Sequence, residues 1–159
     1  MTGYGAEPSN FYPNDNMTRG MLVHTLYLIE GSPNAAGMQS IFEDVTEDML
    51  YTDAIKWASA NRIVLGYGDG LFGPDDPVTR EQFAAILSRY ADYCEIQLPD
   101  LRENIIFIDE EDIAYYAKPA VAQLYKAEII EGKPGNVFVP IGSISRAEAA
   151  AILRRFMES

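Results

Sequence analysis

The chain has 159 residues, 48% hydrophobic and 23% charged, the composition of a folded protein with room for one compact domain or a few small repeats. Twelve Lys+Arg against 24 Asp+Glu leave a formal net charge of −12, which excludes the basic footprint of nucleic-acid binding and opposes an anionic membrane surface. No apolar run approaches the length needed to span a bilayer, so no membrane insertion is expected.

One cysteine, Cys94, and one histidine, His24, exclude an intrachain disulfide, a Cys-rich metal cluster and His-based zinc sites. They also remove most Ser–His and Cys–His nucleophile schemes. The opening Met1-Thr2-Gly3-Tyr4-Gly5 has neither the basic start nor the apolar core of a signal peptide. Secretion would need a signal outside these residues.

In chain order, the first element is a helix near 18–30, opened by Thr18-Arg19 eight residues after Phe11 of Phe11-Tyr12-Pro13. The same unit returns twice: Phe72-Gly73-Pro74 with Thr79-Arg80, and Phe138-Val139-Pro140 with Ser145-Arg146. The phenylalanines lie 61 and 66 residues apart, and a glycine (Gly5, Gly66, Gly132) precedes each by six. After each arginine, apolar residues recur at helical spacing: Leu22, Leu26 and Ile29; Phe83, Ile86, Leu87 and Tyr90; Ala149, Ile152, Leu153 and Phe156. Thr25 interrupts the first stripe. Thr79…Gln82 and Ser145…Glu148 predict capping boxes on helices near 79–91 and 145–157.

Ahead of the second and third copies lies a matched first half. Phe42-Glu43-Asp44 and Phe107-Ile108-Asp109 precede helices near 49–61 and 113–127. Ile63-Val64 and Ile129-Ile130 follow them, before turn chemistry at Gly66-Tyr67-Gly68-Asp69-Gly70 and Pro134-Gly135-Asn136. The first copy lacks this half. It should leave an apolar patch beside the first helix, near Leu22, Leu26 and Phe11-Tyr12-Pro13. Residues 1–10, the linker 31–41 or a second chain would cover the patch, and the expectation is a self-associating (homo-oligomer) or partner-bound state.

These segments resemble the S-layer homology (SLH) family. The carriers are Phe42-Glu43-Asp44-Val45, Ala54-Ile55-Lys56-Trp57-Ala58, Gly66 to Pro74, Thr79-Arg80-Glu81-Gln82-Phe83-Ala84 and Ser145-Arg146-Ala147-Glu148-Ala149. Thr18-Arg19-Gly20-Met21 and Glu30-Gly31-Ser32-Pro33 are similar to first repeats of such triplets in clostridial-type Gram-positive proteins. The resemblance implies an all-α, pseudo-three-fold bundle of helix-loop-helix repeats forming one compact domain. Residues 1–33 would be the second half of repeat 1, residues 41–92 repeat 2 and residues 106–159 repeat 3. It implies an extracellular, non-catalytic module at the cell surface whose inter-repeat grooves hold an anionic, pyruvylated secondary cell-wall polysaccharide attached to peptidoglycan. The alternative is an SLH-derived module that docks a protein partner without binding glycan.

Within that resemblance, Arg80, Arg146 and Arg19 are the candidate ligand cations. A forked guanidinium at the positive end of a helix suits a carboxylate. Asp44, Asp109, Gly66, Tyr67 and Glu148 complete the candidate glycan site. Arg80→Ala and Arg146→Ala are expected to weaken wall binding with little effect on melting, and Arg19→Ala to matter least. No cofactor and no metal are expected: the Asp69…Asp75-Asp76 loop lacks EF-hand spacing. Asp44 and Asp109 sit at equivalent places in separate repeats, which argues against a glycosidase pair.

Overall fold

The computed structural model describes residues 11–159. It contains five α-helices: α1 (Arg19–Ile29), α2 (Thr52–Ala60), α3 (Arg80–Tyr93), α4 (Lys118–Lys126) and α5 (Arg146–Glu158). A single 3-10 turn at Glu110–Asp112 precedes α4. Among the described residues the only β pairing is a set of isolated bridges, so the fold is all-α.

Caps place the three helices that begin with arginine. The side chains of Thr18, Thr79 and Ser145 accept hydrogen bonds from the N–H groups of Met21, Gln82 and Glu148. The capping box is complete only on α3, where Gln82 also accepts from the Thr79 N–H. On α5 the expected box is half made, because the Glu148 carboxylate turns away to Arg80 and Lys133. The first-half helices are shorter than the periodicity predicts. α4 starts at Lys118 rather than near 113, with Pro119 in its first turn; the proline ring would strike a carbonyl of any preceding helical turn.

The strips before the arginine helices close a ring. Met17 donates its N–H to the Ile144 carbonyl at 2.8 Å, Ile144 to Val78 at 3.3 Å, and Val78 to Met17 at 2.9 Å. These three side chains are fully buried. Around them Leu26, Leu87 and Leu153, the equivalent leucines of the stripes, are all buried in one contiguous core. A cyclic set of pairings turns the stripes of α1, α3 and α5 toward one shared core, which is why the stripes match.

First-half helices pack on the arginine helix of the copy before them: α2 on α1, and α4 on α3. This rule moves the expected gap. Leu22 and Leu26 are fully buried, and the uncovered face lies instead on α5 and the C-terminal end of α1, where Ile29 is exposed. The linker 31–41 folds elsewhere, with Tyr27 donating its hydroxyl to the Pro33 carbonyl. Residues 1–10, the other expected cover, lie outside the described residues.

Candidate functional site: an arginine-lined groove between repeats

Each arginine at a helix start crosses to the loop of the next copy. Arg19 Nε donates to the Phe72 carbonyl at 2.7 Å, Arg80 Nε to Phe138 at 2.7 Å, and Arg146 Nε to Phe11 at 2.8 Å. The guanidinium carbons lie 4.7, 4.9 and 4.9 Å from the ring centres of the same phenylalanines. All three arginines are buried, at 4, 1 and 3% exposure. The loop carbonyls also take the helix-start amides: Arg19 and Gly20 donate to Asp76 and Pro74, Arg80 and Glu81 to Gly142 and Pro140, Arg146 and Ala147 to Asp15 and Pro13. With the cap hydroxyl on the third amide, these helix termini have protein acceptors and present no free N–H cluster to an anion.

The aspartates anchor the loops that receive the arginines. Asp44 accepts from the N–H groups of Phe72 at 2.8 Å and Gly73 at 2.7 Å; Asp109 accepts from Phe138 and Val139, both at 2.7 Å. Burial works against the Asp109 charge, but the two amides outweigh it and hold the carboxyl below its usual range. Gly66 sits at φ +71°, and a Cβ there would stand 2.4 Å from the Phe42 ring. Its role is backbone shape beneath the groove.

The three arginines differ in what remains exposed to a ligand. All three Arg80 nitrogens have protein partners: Nε on Phe138, Nη2 on the Glu131 carbonyl at 2.7 Å, and Nη1 on the Glu148 carboxylate. Lys133 Nζ donates to the same carboxylate at 2.9 Å. Arg146 Nη1 lies 3.3 Å from Met21 Sδ. Arg19 also stacks on Tyr67, 4.5 Å from the ring centre. Its two outer nitrogens have no hydrogen-bond partner among the described residues, and Arg89 has neither hydrogen bond nor ion pair there. Burial lowers the pKa of both guanidiniums, yet they remain charged throughout the working range.

Arg19 and Arg89 line one cavity of about 300 Å³, with Gly66, Tyr67, Gln82 and Tyr116. Tyr67 donates its hydroxyl to Asp76 Oδ2 at 2.7 Å, and burial followed by that bond pushes its pKa up to about 12. Tyr116 donates to Glu81 Oε1 at 3.3 Å, and the other oxygen of Glu81 accepts from the Ala114 N–H at 2.9 Å. Glu81 thus fixes the tyrosine wall. Gly20 has the complementary reason in the first copy, since a Cβ there would lie 2.5 Å from the Tyr51 ring.

A second groove of about 310 Å³ occupies the equivalent place one copy on, lined by Gly132, Lys133, Glu148 and Arg155. There Gln82 is replaced by Glu148 and Tyr67 by Lys133, and the carboxylate neutralises Arg80. The candidates therefore separate. Arg19, Gly66 and Tyr67 meet in the first groove, Glu148 sits in the second with Arg80 behind it, and Asp44 and Asp109 support the loops. Sequence reading missed Arg89 and Tyr116. Arg89 had a signal, because it follows Arg80 by nine residues as Arg155 follows Arg146. Tyr116 had none, since the third copy's first half reaches the groove only through the packing of α4 on α3.

Comparison with known proteins agrees with this architecture. The S-layer homology domain profile matches residues 41–84 and 107–150. The chain is 34% identical over 97% of its length to "Exoglucanase XynX" of Acetivibrio thermocellus, covering 14% of that protein. It is 31% identical over 93% of its length to the "Cellulosome-anchoring protein" of the same organism, covering 33%. To the "S-layer protein" of Bacillus thuringiensis subsp. finitimus it is 32% identical over 77% of its length, covering 14%. The chain thus spans a third or less of each of these relatives. With two complete matched repeats and a third arginine helix closing the same ring, the chain belongs to the S-layer homology domain family.

Proposed function

We propose that this chain is a non-catalytic cell-wall anchor whose ligand is an anionic secondary cell-wall polysaccharide, held in the groove of Arg19 and Arg89. Attachment at the cell surface is the role its family membership supports. The observation that carries the finer reading is a pair of guanidiniums in one cavity whose lining holds no carboxylate, with Asp76 and Asp44 acting on Arg19 from outside it. A sugar carboxylate such as a pyruvate ketal suits that pair: two forked cations meet two oxygens, and the apolar sugar face rests on Tyr67 or Tyr116.

In this reading Arg19, Arg89, Tyr67 and Tyr116 touch the glycan, and Gly66 keeps the groove floor open. Asp44 and Asp109 act through the loops they hold. Arg80 and Arg146 join the copies, and Glu148 weakens the second groove for anions. The cavity lining contains no carboxylate, so it lacks the acid and base that glycosidic cleavage requires. The enzyme names belong to relatives several times longer than the matched segment.

Sedimentation with purified cell walls, before and after chemical removal of the secondary polymer, tests the proposal. Wild-type protein should bind intact walls and lose binding to stripped ones. Arg89→Gln should weaken binding about tenfold or more with an unchanged melting curve, as loss of one charge-assisted contact implies. Equal binding to stripped walls would defeat the reading of the secondary polymer as ligand, and failure to bind intact walls would favour the protein-docking alternative.

A further inference from the structure

The loops that carry Tyr67 and Lys133 share a backbone and differ in what stands behind the side chain. Tyr67 donates its N–H to the Leu71 carbonyl at 2.9 Å, and Lys133 donates to the equivalent Val137 carbonyl at 2.7 Å. Further along the same loops, Gly73 sits at φ +70° and its counterpart Val139 at φ +59°. The third copy thus places a β-branched residue in the left-handed region, and conformation alone does not demand the glycine. What Gly73 supplies is space. A Cβ there would stand 2.6 Å from Cε2 and 2.7 Å from the hydroxyl of Tyr67, and it would also strike the Asp76 carboxylate. In the third copy Lys133 replaces the tyrosine and Gly142 replaces Asp76, so the valine fits.

We propose that Gly73 and Asp76 are positioning residues of the first groove, holding the Tyr67 ring against Arg19 and so aiming that cation at its ligand. This role rests on the glycan occupying the first groove. Asp76 ties the two partners together: its Oδ2 accepts from the Tyr67 hydroxyl at 2.7 Å, and its carbonyl accepts from the Arg19 N–H at 2.9 Å. The Arg19 guanidinium carbon lies 4.5 Å from the Tyr67 ring centre and 4.7 Å from that of Phe72. With Nε fixed on the Phe72 carbonyl, the two rings set the plane of the cation without using its outer nitrogens. Arg80 shows the alternative. It has one ring, Phe138 at 4.9 Å, and its outer nitrogens are held by the Glu131 carbonyl and the Glu148 carboxylate.

Positioning and charge make opposite demands on Asp76. Its carboxylate favours the charged form of Arg19, and by the same Coulomb attraction it competes with an anionic ligand for that cation. If charge were its whole effect, removing Asp76 would strengthen anion binding. If it holds Tyr67 in place, removing it weakens binding despite the lost negative charge.

The test is titration calorimetry with a purified wall-polymer fragment, run on wild type, Asp76→Asn, Asp76→Ala and Gly73→Val. Asp76→Asn keeps an acceptor for the phenol and should bind as well as wild type or better. Asp76→Ala should bind about three- to tenfold more weakly, the worth of one hydrogen bond. Gly73→Val should lose at least as much with helix content unchanged, since Val139 shows that the loop accepts valine; if that variant does not fold, the two Asp76 variants decide. A second readout needs no ligand. With isotopically labelled tyrosine rings, assigned by Tyr67→Phe, the Tyr67 phenol should ionise at lower pH in Asp76→Ala and Gly73→Val than its wild-type value of about 12. Wild-type binding with Asp76→Ala equal or tighter overturns the proposal and leaves the glycan reading standing. Absence of wild-type binding defeats the glycan reading and the aiming role with it, and an unmoved Tyr67 phenol in both variants overturns the positioning itself.

Discussion

Arg19, Arg80 and Arg146 stand at one position of the repeat, and their neighbours decide what each can do. Around Arg80 every nitrogen has a protein acceptor. Arg80→Ala should therefore lower stability by about 2–4 kcal/mol, because it strands the Phe138 and Glu131 carbonyls and leaves Glu148 with Lys133 alone, and thermal melting will show it. That reverses the expectation of an unchanged melting curve. Arg19→Gln should impair wall binding more than any change at Arg146, the opposite of the order the sequence suggested. Glu148→Gln installs the residue that the first groove has as Gln82. It should release Arg80 toward the second groove and raise the glycan stoichiometry, read by titration calorimetry with a wall-polymer fragment, from one site toward two.

At the scale of elements, the loops are as much supports as the helices. Asp109 clips the Phe138–Val139 turn to its own first half, and Asp44 does the same across 28 residues of chain. Asp109→Asn should lower stability by about 1–2 kcal/mol at neutral pH, since a charged acceptor of two amides becomes a neutral one. The folded-state pKa of Asp109 lies below its ordinary value. Its contribution is therefore complete above the ordinary aspartate pKa and disappears as pH falls through the lowered folded value. Denaturant midpoints for wild type and Asp109→Asn should differ at pH 7 and converge in strong acid.

For the molecule as a whole, the proposed reading sets an acidic protein on an acidic polymer, held through local cations against the protein's own field. On that reading the net charge of −12 would repel the ligand at long range, while Arg19 and Arg89 would attract it at contact. Salt screens the long-range term first, with a Debye length of about 30 Å at 0.01 M and about 8 Å at 0.15 M. Wall binding should hold or strengthen as salt rises across that range, whereas a basic-patch binder would weaken; a steep fall would show that net charge governs recognition.

Much of this architecture is legible in one dimension because the chain repeats itself. Gly, Phe, Pro, hydroxyl and Arg recur at fixed spacing, so the helix starts, the caps and the equivalence of Leu26, Leu87 and Leu153 follow from residue order alone. The pairing of copies does not. Which loop receives which arginine depends on the cyclic order set by Met17, Val78 and Ile144. That order buries the arginines, turns Glu148 onto Arg80 and carries Tyr116 to the Arg19 groove. It also puts the uncovered face on α5 rather than beside Leu22. A repeat dictates what its residues are alike in, because local propensity and periodicity are properties of neighbouring residues along the chain. Only the tertiary structure decides how they differ, because burial and ion pairing depend on side chains that arrive from another copy.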